Sequence, residues 1–502
     1  MRKLLPYVLI MLTAVPSFGW DKPDPIRPLL KVAFEKYNQG QYFEAISFYR
    51  KVLAIDSTHN EAHYHLGDCF QSFFKYQKAL THYQPVENDA DKYPLLELNL
   101  GVVHKIIGNY SEAQQLLQQF TQSITKRKKE DYERWLLRAN IELQGIAKAQ
   151  NPPIGPVLDI EINRLPFPVN SPQHDFAAIA YRTPQQLLLT STRSESKGKV
   201  YNAQHGESFS DNFIFALDSE KWQDRTDTHN FSTINTTADE GPGSLSPDGL
   251  TYYFSRIEKG FYQLFVSEFR NGKWREPKLL PQPINFPGYT SKHPAISTSG
   301  DTLFFSSDQP GGFGEHDLWM SIREQGEWQL PINLGSSVNT SFQETSPYWD
   351  SEKQSLLFAS NGHPGWGGYD LFVASLSFSD LTSSVANLGQ PLNSSYDDTY
   401  VRGTDRMGYI TSNRGSNNTG FDIYRYQYTP RKNILFSLSN KSWWETWANQ
   451  LTQLEEATAE NDQPHFFETL PSEEKTSLQQ AAARRIFQAL QKEQQHSLVN
   501  LE

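Results

Sequence analysis

A Gly-rich loop that ends in an aspartate and leads into a strand is written three times in this chain, and it limits the fold more than any other feature. The copies run from Leu303 to Trp319, Leu356 to Phe372 and Gly408 to Tyr424, and they place Asp317, Asp370 and Asp422 at intervals of 53 and 52 residues. A period of about 50 residues, with a strand on each side of a Gly-rich turn, is the sequence signature of propeller blades.

Other marks keep the same step. A hydrophobic-Asn pair recurs at Val169-Asn170, Ile234-Asn235, Ile284-Asn285, Val338-Asn339 and Leu392-Asn393, tryptophans recur at Trp222, Trp274 and Trp328, and Asn-Leu-Gly stands at 333–335 and 387–389. Five Asn pairs predict a five-bladed β-propeller over 157–430, with six blades as the alternative if the longer first repeat hides one. The segment Val157 to Asn163 is in phase to act as the outer strand of the last blade. Such a closure removes the exposed sheet edges of the ring. The loops are followed neither by a helix nor by Gly-Lys-Ser/Thr, so they do not read as phosphate cradles. Their aspartates are expected to accept N–H bonds from the turn; a calcium role for Asp308 and Asp317 is the weaker alternative, and no metal is assigned.

Ahead of the ring, residues 26–150 carry apolar residues at helical spacing. Tyr42, Tyr76 and Tyr110 stand 34 apart, as do Ala45, Ala79 and Ala113, and Ala33, Gly67 and Gly101. Small residues that let paired helices approach, with aromatics filling the gap, form the tetratricopeptide pattern of an α-solenoid. Phe74 stands where a turn glycine is usual, and a longer helix over about 129–149 is expected to cap the stack. Mapping the chain onto that pattern points Phe34, Tyr37, Tyr64, Asp68, Gln71 and Lys105 into a protein-binding groove. The competing reading packs these side chains against the cap or the next domain. His59 and His63 share a helix, but without a further ligand they read as surface histidines.

Near the start of each inner strand of the ring lies an acidic residue, Asp175, Glu240, Glu344 or Asp398, with His293 in the remaining blade. Facing the axis, they make a negative channel mouth for a cation or a basic segment. Turned inward, they are hydrogen-bonding residues within each blade.

The ends and the composition place the chain. Residues 1–19 combine Arg2 and Lys3, an apolar run from Leu4 to Val15, and small residues Ser17 and Gly19, which reads as a cleaved signal peptide. No cysteine follows Gly19 directly, so a lipoprotein anchor is not expected, and Cys69 is the only cysteine, so no internal disulfide is expected. The Pro-rich stretch 151–156 reads as a linker, and residues 437–502 as a helical extension with Trp443, Trp444 and Trp447 near its start. A net charge of −11 without a long basic stripe argues against nucleic acid as a partner, the run Lys126 to Lys129 being offset by Glu130 and Asp131. Neither Gly-x-Ser-x-Gly nor His-Glu-x-x-His occurs, so no catalytic residue and no cofactor are assigned.

With these repeats in hand, Ser-Asp-x-Pro-Gly-Gly-x-Gly-x-x-Asp-Leu at 307–318 and Ser-Asn-Gly-His-x-Gly-x-Gly-Gly-x-Asp-Leu at 360–371 carry a family resemblance. Over about residues 26–430 the chain resembles the Bacteroidota periplasmic proteins in which tetratricopeptide repeats precede a PD40 (TolB/WD40-like) propeller. In pattern it resembles the OmpA-family components of the type IX secretion and gliding machinery. Members of that family continue into a carboxypeptidase-regulatory-like domain and an OmpA-like domain. The tail here is too short and too helical for either, so peptidoglycan binding is not carried over. The resemblance implies a non-enzymatic periplasmic scaffold, peripheral to the outer membrane, that joins other cell-envelope proteins. The rival expectations are a propeller-based glycan hydrolase or peptidase, and a propeller that senses a small ligand or an ion.

Overall fold

In the computed structural model the described residues are 24–124, 132–151, 158–197, 208–227, 231–376, 383–403, 406–415 and 420–430. The expected signal peptide, the Pro-rich linker beyond residue 151, the basic run and the helical tail lie outside them.

Helical hairpins come first: α1 (Ile26–Asn38), α2 (Tyr42–Ile55), α3 (Asn60–Ser72), α4 (Tyr76–Tyr83), α5 (Leu96–Ile106), α6 (Tyr110–Ile124) and α7 (Glu133–Gln150). The small residues decide the close pairing. A Cβ on Gly67 of α3 would stand 2.4 Å from the Tyr83 ring of α4, and one on Gly101 of α5 2.7 Å from Leu117 of α6. Two of the hairpin turns use glycine in the left-handed region, Gly40 at φ +71° and Gly108 at φ +86°. The third forces Phe74 to φ +57°, a conformation that is costly for a residue with a Cβ. The Phe74 ring meets Phe421 of the last blade edge-on, 4.9 Å between centroids.

Five antiparallel sheets follow, the number expected from the Asn pairs. Blade 1 begins at Asp175–Tyr181, blade 2 at Glu240–Leu245, blade 3 at Ser291–Ile296, blade 4 at Glu344–Asp350 and blade 5 at Asp398–Gly403. Blade 5 takes Leu158–Arg164 as its fourth strand beside Asp422–Pro430, so the early strand completes the last blade. Second strands read as unbroken apolar runs because both of their faces are covered by neighbouring blades. Leu303 and Phe305 join a cluster with Tyr253 and Leu264 of blade 2, while Phe304 between them joins Trp349 and Phe358 of blade 4.

The hydrophobic-Asn pairs turn out to be the joints between blades. Asn339 Oδ1 accepts from the Leu318 N–H at 2.7 Å and its Nδ2 donates to the Leu318 carbonyl at 3.0 Å. The same two bonds join Asn393 to Leu371, Asn285 to Leu264, Asn235 to Asn212 and Asn170 to Ile423. Each asparagine thus satisfies a main-chain pair on the third strand of the preceding blade. An amide side chain, with one acceptor and two donors, is suited to this.

The aspartates of the Gly-rich loops hold their turns. Asp317 accepts from the N–H groups of Phe313 at 2.5 Å and Gly314 at 3.0 Å, and Asp370 from those of Trp366 at 2.6 Å and Gly367 at 2.9 Å. The asparagine of Asn-Leu-Gly completes the set, Asn333 Nδ2 reaching Asp317 at 2.8 Å and Asn387 Nδ2 reaching Asp370 at 2.9 Å. In the last blade Asp422 takes two bonds of 2.7 Å from the Arg164 guanidinium. That fork ties the closing strand in place.

Candidate functional site

The helices and the propeller form one compact unit, and the Gly-rich loops make their seam. Lys105 of α5 donates to Glu142 of α7 at 2.5 Å and to the Gly367 carbonyl at 2.9 Å. Arg138 pairs with the other oxygen of Glu142 at 2.5 Å and donates to the Asn361 carbonyl at 2.7 Å. Burial pushes the Glu142 carboxyl up, but Arg138 and Lys105 outweigh it and hold the group below the ordinary range. Tyr76 donates to Asp397, and a Cβ on Gly145 would stand 2.1 Å from the Gly365 carbonyl oxygen. Helix α7 therefore lies directly on loop backbone.

Between this seam and the ends of the inner strands lies a cavity of about 1250 Å³. Tyr37, Tyr64, Asp68 and Gln71, four of the six residues assigned to the groove, form part of its helical wall. The other two differ from the expectation. Phe34 is 44% exposed and is not part of the wall. Lys105 is buried in the seam and has no open face for a ligand.

The acidic ring is corrected. Asp175, Glu240, Glu344 and Asp398 are each 0% exposed and do not line the cavity. Each folds back on the connector four residues earlier, taking the N–H and the hydroxyl of Ser171, Thr236, Thr340 or Ser394. Arg193 and Arg414 pair with Asp175 and Asp398 and also bond the connector carbonyls of Val169 and Leu392, and Arg256 pairs with Glu240. In place of an arginine, Glu344 has the Ser360 hydroxyl at 2.7 Å. Burial raises Glu344 to about 7 and Glu240 to about 7. These carboxylates are internal braces, fully buried with their oxygens turned to donors of their own blades and away from the cavity.

What faces the cavity is the second residue of each inner strand. Phe176, Gly241, Lys292, Thr345 and Thr399 all line it. A β-bulge follows in every inner strand, with Ala177, His293, Ser346 and Tyr400 at positive φ. The bulge residues bond across to neighbouring blades, as Ala177 N–H does to the Thr411 hydroxyl at 2.9 Å. His293, the fifth ring residue, does line the cavity; its Nδ1 lies 2.5 Å from the Thr345 hydroxyl. Burial, with Lys292 beside it, holds the imidazole well below its usual range and therefore neutral.

Sequence reasoning missed Lys292, Asp239, Tyr262 and Tyr400 in this wall. The available signal was partial: counting one residue beyond each acidic position names Phe176, Gly241, Thr345 and Thr399, but Lys292 follows Ser291, so no carboxylate marks its phase. Among the described residues no group of three or more His, Cys, Asp or Glu is arranged to hold a metal ion, and no helix is long and apolar enough to cross a membrane.

No protein-family model matches the chain, and no curated protein matches it. Solved structures similar to it include TolB from Acinetobacter baumannii, at TM-score 0.31 and 10% identity over 52% of this chain; the chain spans 58% of that protein's length. The type III secretion translocator chaperone SycD of Yersinia enterocolitica has TM-score 0.24 and 21% identity over 26% of this chain and 88% of its own. A thermostable family-43 glycoside hydrolase has TM-score 0.35 and 10% identity over 52% of this chain and 91% of its own.

Proposed function

We propose that this protein is a non-enzymatic binding module of the cell envelope, an adaptor that holds a partner protein in the chamber its repeat array and propeller form together. The observation that carries the reading is that shared cavity of about 1250 Å³, walled on one side by Tyr37, Tyr64, Asp68 and Gln71 of the helices and on the other by the inner-strand ends of the ring. Repeat arrays and propellers both recognise partners through surfaces of this kind, built from many elements at once. The secretory character of residues 1–19 and the resemblance to periplasmic repeat-plus-propeller proteins support a periplasmic place, with type IX secretion or another outer-membrane assembly as the setting. The hydrolase reading lacks a supporting observation, because the inner-strand carboxylates it would use are buried in hydrogen bonds of their own blades. Purification of the tagged full-length protein from native membranes after gentle crosslinking tests the proposal. Envelope partners are expected to come with it, and a protein that comes out alone defeats the reading.

A further inference from the structure

The chamber lining contains two carboxylates, Asp68 and Asp239, and each accepts three hydrogen bonds from the protein itself. Asp68 accepts from the Tyr83 hydroxyl at 2.7 Å, Asn99 Nδ2 at 3.0 Å and the Tyr37 hydroxyl at 3.0 Å. Asp239 accepts from the Ser210 N–H at 2.9 Å, the Ser210 hydroxyl and the Tyr262 hydroxyl at 2.7 Å. Lys292, on the propeller side, is different. Half-buried at the cavity, its ammonium has neither a hydrogen bond nor an ion pair among the described residues. The nearby acids are engaged elsewhere, Asp308 with the Thr290 N–H at 2.7 Å and Glu315 with Arg134 and with Gln343 Nε2 at 2.5 Å. Burial lowers this lysine to about 8 against the weaker pull of Asp308 and Glu315, so it stays charged at neutral pH with no carboxylate in contact. A desolvated charge of this kind is costly unless something pairs with it.

The rest of the cavity lining is suited to a main chain. Gln71 Nε2, Asn99 Oδ1 and Asn361 Nδ2 have no hydrogen bond among the described residues, which leaves two donors and an acceptor of the kind that read peptide groups. Aromatic rings of Tyr64, Phe176, Tyr262 and Tyr400 line the same cavity and offer apolar faces for side chains. The volume exceeds the roughly 300–1,000 Å³ of ordinary small-molecule pockets.

We infer that the chamber captures the C-terminal end of a partner protein in extended form, with its terminal carboxylate seated on Lys292. Capture of a terminal carboxylate is a recurring mode of peptide recognition, and an ammonium in a partly desolvated site makes a strong, charge-assisted bond to it. This deepens the adaptor reading above and rests on it.

The test uses the full-length protein and a library of N-acetylated octapeptides of random sequence with free C-termini, the retained sequences being read by mass spectrometry. The best binder is then resynthesised as the C-terminal amide. Amidation is expected to weaken binding to the wild-type protein tenfold or more, and Lys292→Met to do the same. Lys292→Arg should retain binding within about threefold, and the exposed Lys221→Met should match wild type. Equal binding of acid and amide, unchanged binding by Lys292→Met, or a library from which nothing is retained each overturns the inference. Saturable binding of acetate or inorganic phosphate that Lys292→Met abolishes, with no peptide retained, reassigns the site to a small anion. The amide comparison involves no mutation, so it stands even if a variant folds poorly. A native partner that stays bound to Lys292→Met removes the carboxylate and leaves the adaptor reading intact.

Discussion

Lys105 Nζ lies 2.9 Å from the carbonyl oxygen of Gly367, so a helix of the repeat array donates an ammonium into a Gly-rich loop of the propeller. The array therefore does not hang from the ring by a linker. It is bolted to it through Lys105, Glu142 and Arg138, a buried charged cluster in which each ion has an opposite neighbour. Replacing Lys105 by Met leaves Glu142 with Arg138 alone and the Gly367 carbonyl short of a donor. Breaking a buried pair by removing one partner is destabilising by about 3–5 kcal/mol; with Arg138 remaining, the expected loss is about 2 kcal/mol, read by chemical denaturation at pH 7. A variant as stable as wild type would show that the seam does not depend on this ion.

Gly145 tests the same seam by sterics. A side-chain carbon there meets the Gly365 oxygen at 2.1 Å; the Cβ is fixed to the helix and the oxygen is backbone, so neither yields cheaply. Gly145→Ala is expected to part α7 from the loop and to expose the junction to limited proteolysis at least tenfold faster. Alanine is the better helix former, so an isolated helix would gain from the change. Unaltered cleavage would contradict the contact.

Asn393 joins blade 5 to blade 4 through both polar groups of Leu371. Asn393→Ala orphans a buried N–H and a buried carbonyl at one stroke, each worth about 1–3 kcal/mol when left unpaired. The expected cost is roughly 2–4 kcal/mol in urea melts, with a similar cost for Asn339→Ala. A loss below about 0.5 kcal/mol would mean that the clamp is replaceable by water.

Phe74 sets two terms against one another. Its left-handed backbone costs about 1–3 kcal/mol, while an edge-on aromatic pair such as the one with Phe421 contributes about 0.5–1.5 kcal/mol beyond its burial. Phe74→Ala keeps the strain and loses the ring; Phe74→Gly loses both. Melting temperature should therefore fall further for alanine than for glycine, and the reverse order would deny the strain.

Glu344 carries a pH signature. Its folded-state value, raised by burial from an ordinary 4.5 to about 7, means that the folded protein holds this proton more tightly than the unfolded chain. Its contribution is thus full below about pH 4.5 and is lost as pH rises through about 7. Glu344→Gln mimics the neutral form, so melting temperature should lose part of its decline between pH 4.5 and 7 and should exceed wild type at pH 8. An unchanged pH profile would show that the carboxyl is ionised throughout.

The period of the Gly-rich loops, the Asn pairs and the phase of the 157–163 strand were enough to specify a closed ring of five blades, because each is a local demand of turn and strand chemistry repeated at a fixed step. The 34-residue spacing of small and aromatic residues likewise specified paired helices, since only a small side chain lets Tyr83 lie against Gly67. Roles that depend on direction were less legible. A period of two says that Asp175 and Phe176 face opposite ways, but which one faces the axis is settled by the bulge that follows and by the Ser or Thr donors after the asparagine pairs, whose role only the folded connector reveals. Lys105 and Lys292 are the same residue type, and nothing local separates them. Tertiary structure alone gave Lys105 a carboxylate and a carbonyl and left Lys292 facing a cavity with neither, because ion pairing is decided by which chains of backbone are brought together.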